Sequence, residues 1–187
     1  MNTFEYLAVL FSIIVGLALT EMLQSIRALL LDRVRVTIFW PIVLRAAMLL
    51  IVLVQVWWSV FGLRNTDWTF GRYAIVLVHI GILYLATSVA LPDAGARETS
   101  DLRQHYWSGA RPFYLLLFAA VLVSLAKDLV ISGALPGAVN VGFHLLFGAV
   151  GLAGAWSRSD RVHLLLTGSL LAAFLLYVVL LFDRLPG

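Results

Sequence analysis

Cysteine is absent from all 187 residues. Its absence excludes disulfides, thiolate metal sites and cysteine nucleophiles, and leaves the redox compartment unread. Charge is scarce too. Asp, Glu, Lys and Arg make up 12% of the chain against 62% hydrophobic residues, with mean hydropathy +0.98, far from the balance of an ordinary soluble domain. Water is therefore not the main solvent of this chain. Several signatures of chemistry are missing as well: no H-E-x-x-H zinc helix, G-x-S-x-G elbow, P-loop or T-V-G-Y-G filter occurs. Paired carboxylates at catalytic spacing inside a span are also lacking, since Glu21 and Asp128 each read as the one buried acid of their half. His105 with Tyr106 and Arg103 is the one loop grouping that an interfacial enzyme would use, and such residues are commonplace in loops.

What the chain does have is apolar length. Six stretches, residues 4–23, 38–63, 73–91, 113–131, 138–156 and 162–182, each approach or exceed the roughly 20 residues that a helix rising 1.5 Å per residue needs to cross hydrocarbon. The expected fold is an all-α, polytopic six-helix transmembrane bundle forming one integral membrane domain. The leader Met-Asn-Thr-Phe-Glu has no basic residue and no small-residue cleavage pattern before Glu21, so the first stretch is expected to be kept as a span. Ser132-Gly133-Ala134-Leu135-Pro136-Gly137 predicts a tight hairpin between spans four and five.

The net charge of +3 sits in short connections. It therefore reads as an orientation signal and a preference for anionic headgroups, and not as a nucleic-acid footprint. Connections one, three and five carry Arg27, Arg33, Arg35, Arg97, Arg103, Arg111, Arg158 and Arg161. The opposite side has Arg64, Arg72 and Arg184, with Lys127 near a span end. Basic loops stay in the cytoplasm, so both termini are expected outside it, in a membrane such as the bacterial inner membrane. Trp57, Trp58, Trp68 and Tyr73 on one side and Trp40, Tyr106, Trp107 and Trp156 on the other read as interfacial anchors. The longest connection, residues 92–112, mixes three Arg with Asp93, Glu98 and Asp101. It reads either as a segment lying on headgroups or as a solvated loop.

Landmarks recur between the two halves: Thr20-Glu21 with Lys127-Asp128, Trp58-Ser59 with Trp156-Ser157, Arg72 with Arg161, and Asp93 with Asp183. They define possible repeats 1–93 and 112–187. With three spans per half, such a duplication would be inverted in the membrane, as in many secondary transporters.

An ionisable group inside a span costs roughly 2.5–3.5 kcal/mol on insertion scales, so each needs a partner or a purpose. Glu21 lies thirteen residues before a bend near Val34 and Arg45 eleven after it, which predicts an ion pair across the first hairpin. A second cluster comprises Lys127 and Asp128 with Ser124 in span four and Asn140 and His144 in span five. His79 and His144 each lie about seven residues deep from the same side. Equal depth permits hydrogen bonding to neighbouring helices, a proton relay, a metal site with Asp128, or ligation of a b-type haem by the two imidazoles. Small-residue faces, Ser12-Gly16-Thr20 in span one and Gly148-Gly151-Ala155 in span five, predict close packing within the bundle or between copies in a homo-oligomer. Apart from the lipid bilayer, no other partner is legible. Three functions follow: a small transporter or ion- or proton-conducting protein working through Glu21, Arg45, His79, Lys127, Asp128 and His144; a membrane haem protein; or a non-catalytic membrane subunit or sensor.

Overall fold

The computed structural model describes residues 3–31, 38–92 and 101–184. Six helices account for nearly all of them: α1 (Thr3–Leu31), α2 (Trp40–Val60), α3 (Phe70–Ala90), α4 (Leu102–Ser132), α5 (Ala138–Trp156) and α6 (Asp160–Leu181). A short 3-10 turn, Phe61–Leu63, extends α2. All six are long and apolar enough to cross a membrane. Leu17, Leu31, Phe70, Leu165 and Val179 are among the large side chains exposed on their outer faces, the inverse of a soluble surface. The chain is built as an integral membrane protein.

Helix limits follow local chemistry. Pro41 in the first turn of α2 costs no hydrogen bond, because the N–H it lacks would have no intrahelical acceptor there. Thr69 caps α3 by accepting from the Arg72 N–H, and the Asp101 carboxylate caps α4 by accepting from the N–H groups of Arg103 and Gln104. Gly133 ends α4 at φ 74°, a left-handed conformation that only glycine adopts without strain. It closes the hairpin expected there, and α5 begins five residues later at Ala138.

Two helices are longer than their apolar stretches. α1 runs on from residue 23 to Leu31, and α4 begins at Leu102, eleven residues before its apolar stretch at 113. Residues 102–112 are therefore the first three turns of a helix and not a solvated loop. The rest of that connection, with Asp93, Arg97 and Glu98, lies outside the described residues, as do Arg33, Arg35 and the bend expected near Val34. At 31 residues α4 is about 46 Å long, beyond the roughly 30 Å of hydrocarbon, so it tilts or projects into the headgroup layer.

The helices alternate in direction. One end, the terminal end, holds the start of α1, the α2–α3 and α4–α5 connections and the end of α6; the other, the arginine end, holds the 157–159 connection with Arg158. α2 packs against α1, α3, α4 and α6, and buries Arg45, Leu49, Val52, Leu53 and Val56 among others. α4 lies between α3 and α5. The two halves pack differently: α1 lies directly on α3, whereas α4 meets α6 through long side chains at the arginine end.

Glycine sets the α4 crossings. A Cβ on Gly109 would lie 2.9 Å from Val89 Cγ1 and 3.0 Å from the Val89 carbonyl oxygen. On Gly151 it would lie 3.2 Å from the Tyr114 carbonyl oxygen, and on Gly154 it would lie 2.5 Å from Tyr114 ring carbons. The span-five stripe therefore seats on α4, and Tyr114, fully buried, has nowhere to retreat. In α1, Ser12 and Thr20 are exposed and open space surrounds Gly16, so that stripe faces out of the bundle. Gly154→Ala should lower stability by about 1–3 kcal/mol, the usual cost of overpacking. Gly142→Ala, with nothing within 4 Å, should leave stability unchanged or raise it by up to about 1 kcal/mol. Thermal unfolding of the two variants in detergent checks the contrast.

Candidate functional site

Polar side chains gather in two places, one towards each end of the bundle. At the arginine end the centre is Arg45, 1% exposed. The guanidinium donates from Nη2 to the Ala90 carbonyl at 2.6 Å and lies 3.4 Å from that of Val89. These are the last carbonyls of α3, left without intrahelical donors and carrying the negative end of the helix dipole. The guanidinium carbon is 4.5 Å from the ring centroids of both Tyr106 and Phe113, two aromatic faces that attract a desolvated cation. Nε and Nη1 have no hydrogen-bond partner.

Glu21 is elsewhere. Its Oε1 accepts from the Tyr84 hydroxyl at 2.5 Å, and among the described residues no ion pair joins it to Arg45. The expected pair fails because the two helices turn these side chains to different places. Glu21 faces the middle of α3, while Arg45 reaches the end of α3 and the start of α4.

Beside Arg45 runs a closed chain of hydrogen bonds. His163, fully buried, places Nε2 3.2 Å from the Ser157 carbonyl and Nδ1 2.7 Å from the Tyr106 hydroxyl. A carbonyl only accepts, so Nε2 carries the proton and Nδ1 accepts from Tyr106. The Tyr106 oxygen in turn receives the Tyr114 hydroxyl at 3.3 Å. Trp107 stacks edgewise on His163 at 4.6 Å between centroids and donates its indole N–H to Asp160. Arg103 takes the other Asp160 oxygen at 2.8 Å. Tyr106, expected as an interfacial anchor, is instead a core residue with no exposed surface.

At the terminal end, a cavity of about 240 Å³ is lined by Gln55 and Ser59 of α2, His79 of α3, Lys127 and Asp128 of α4 and Asn140 of α5, among others. At ~30 Å³ per water it holds about eight. Lys127 donates to the adjacent Asp128 at 2.8 Å. Asn140 Oδ1 is buried without a partner. A smaller cavity of about 80 Å³ shares Gln55, Val56, His79, Ser124 and Tyr177 with the first, and adds His144. Its deepest lining is Met48, Leu83, Leu117 and Leu170, about one turn (Met48, Leu117) to two turns (Leu83, Leu170) short of the Arg45 and His163 cluster. His144 places Nδ1 2.9 Å from the Asn140 carbonyl and Nε2 3.0 Å from Ser124 Oγ. By the same reasoning Nδ1 donates and Nε2 accepts from the serine. His79 lines both cavities and makes no hydrogen bond to protein among the described residues.

The structure thus brings His79, Lys127 and Asp128 to one cavity and His79 with His144 to the next, and keeps Glu21 and Arg45 apart from them. Neither sharper ligand fits well. Both nitrogens of His144 are engaged by protein, and the space it shares with His79, about 80 Å³, is well below the roughly 300 Å³ at which pockets for drug-sized ligands begin. A haem between them is not accommodated. Among the described residues no three His, Asp or Glu side chains gather as a metal site.

The Tyr106–Tyr114–His163 chain was missed from sequence. Its signal was present as the stripe Leu102, Tyr106, Gly109, Phe113, Leu117 and Ala120, at alternating spacings of four and three or four and four residues, which marks one continuous helix face. No protein-family model matches the chain, and no curated protein or solved structure shows significant similarity to it, so the site is read from its own residues. Tyr106→Phe strands the buried His163 Nδ1, which should cost about 1–3 kcal/mol and lower the unfolding midpoint by about 2–4 °C per kcal/mol. Tryptophan fluorescence during thermal unfolding checks this, with Trp107 as the neighbouring probe.

Proposed function

We propose that this protein is a small transporter or ion-conducting protein, most simply a proton-conducting one, and that the cavity at the terminal end is its aqueous vestibule. The observation that carries the reading is His79. It stands where the polar vestibule narrows into the apolar layer, open to the cavity and unbonded to protein among the described residues. A neutral imidazole there offers one nitrogen that accepts and one that donates a hydrogen bond towards the cavity, the two groups a proton hand-over needs. Lys127 and Asp128 place both signs of charge at the mouth, where an approaching ion or polar solute exchanges part of its hydration. Met48, Leu83, Leu117 and Leu170 form the barrier that a second conformation would open. The sealed Arg45 and His163 cluster is the structural end of the bundle, where neither histidine nitrogen is free.

The arginine-rich connections support an orientation in which the vestibule opens away from the cytoplasm, with both termini on that side, as in a bacterial inner membrane.

The test is flux in proteoliposomes under an imposed pH gradient, followed with a trapped pH-sensitive dye. Protein-bearing vesicles should dissipate the gradient faster than empty ones. His79→Gln and Asp128→Asn, monodisperse and thermally stable, should each lose roughly a hundredfold, the low end of what a positioned proton-transfer group supplies. Vesicles that hold folded wild-type protein yet remain as tight to protons, potassium and sodium as empty ones would overturn the proposal.

A further inference from the structure

A wide groove lies at the other end, outside the sealed cluster. It measures about 570 Å³ and runs between the first turns of α4, with Trp107, Ala110 and Arg111, and the last turn of α5 continuing through Ser157 and Arg158. We infer that it is a binding site for an anionic phospholipid, whose headgroup phosphodiester is held by Arg111 and Arg158.

Charge is the first support. Neither Arg111 nor Arg158 has an ion pair among the described residues; Arg111 lies only 5.9 Å from the Trp156 ring centroid. Among the described residues, the acids nearby in sequence are already committed. Asp160 gives one oxygen to Trp107 and the other to Arg103, and Asp101 caps α4. Two uncompensated guanidiniums therefore border one groove, and guanidinium forks match phosphate oxygens. Ser157 adds a hydroxyl beside them.

Shape and depth are the second. Buried Ala110, Gly154 and Ala155 leave room between the two helices for a headgroup, and Trp156, 65% exposed at the last position of α5, is an aromatic ring at the expected interfacial depth. One turn further into the membrane, on the same helix faces, stand exposed Leu115, four residues after Arg111, and exposed Leu152, four before Trp156. The groove thus places a cationic pocket directly above an apolar surface. A free phosphate uses only the first, whereas a phospholipid uses both. Basic pockets between helices near the cytoplasmic leaflet are where anionic headgroups bind.

Native mass spectrometry of the full-length protein in mild detergent, titrated with phosphatidylglycerol or phosphatidylcholine, tests this independently of any transport activity. The expected result is a retained phosphatidylglycerol adduct well above the phosphatidylcholine one. Arg111→Gln and Arg158→Gln should each weaken it about fivefold, while Arg64→Gln at the opposite end leaves it unchanged. Equal retention of the two lipids by the wild type would overturn the inference, and so would an unchanged preference in the monodisperse double variant. Displacement of phosphatidylglycerol by inorganic phosphate alone would reassign the groove to a free anion and overturn the lipid assignment. If the double variant is not monodisperse, the wild-type lipid preference and the two single variants decide.

Discussion

Arg45 carries a charge into the bundle, no carboxylate among the described residues meets it, and the elements at that end are arranged around it. An unpaired ion in an apolar interior is costly unless dipoles and polarisable faces surround it. Here the dipoles are the last carbonyls of α3, and the faces are Tyr106 and Phe113 of α4. One side chain of α2 thus ties the end of α3 to the start of α4. The close crossing of Gly109 on Val89 brings those same segments together. Tyr106 then passes the constraint on, because its hydroxyl satisfies His163 and so draws the start of α6 into the same cluster.

That cluster gives the protein its asymmetry. At the arginine end Tyr106, Tyr114 and His163 are closed on one another in one chain of hydrogen bonds. At the terminal end the polar groups surround space: among the described residues Asn140 Oδ1 and the His79 ring have no hydrogen-bond partner, beside a cavity large enough for several waters. One to two helical turns of apolar side chains, Met48, Leu83, Leu117 and Leu170, lie between the two regions. A closed end, an apolar layer and an open polar chamber are the features on which the proposed conducting function rests. The same apolar bundle could have been dry throughout, and the cost of burying Lys127, Asp128 and two histidines without a use argues against that.

The six helices were legible because hydrocarbon thickness imposes a length that composition records directly, and the 132–137 hairpin because glycine and proline announce it. Helix ends were less so. Apolar length marks where a helix is inside the membrane and not where it stops, so α4 appeared to start at 113 when its stripe of buried residues begins at Leu102. That single shortening turned Tyr106 into a supposed interfacial anchor and hid His163, which sits among basic residues that look solvated. Residue depth was readable by counting along each span, which is how His79 and His144 were placed at one level. Azimuth was not: which way Glu21 and Arg45 point depends on the rotation of α1 and α2, and a polar residue alone does not fix that rotation.

The absence of cysteine makes the central claim directly measurable, since single cysteines can be introduced into a chain that has none. Gln55→Cys and Ser59→Cys line the vestibule, Met48→Cys and Leu117→Cys the layer beneath it. With a membrane-impermeant thiol reagent applied to oriented vesicles, the first pair should react from the terminal side alone and the second pair from neither side at rest. A Gln55→Cys protein that is inert from the terminal side, or that reacts equally from the arginine side, would contradict the account.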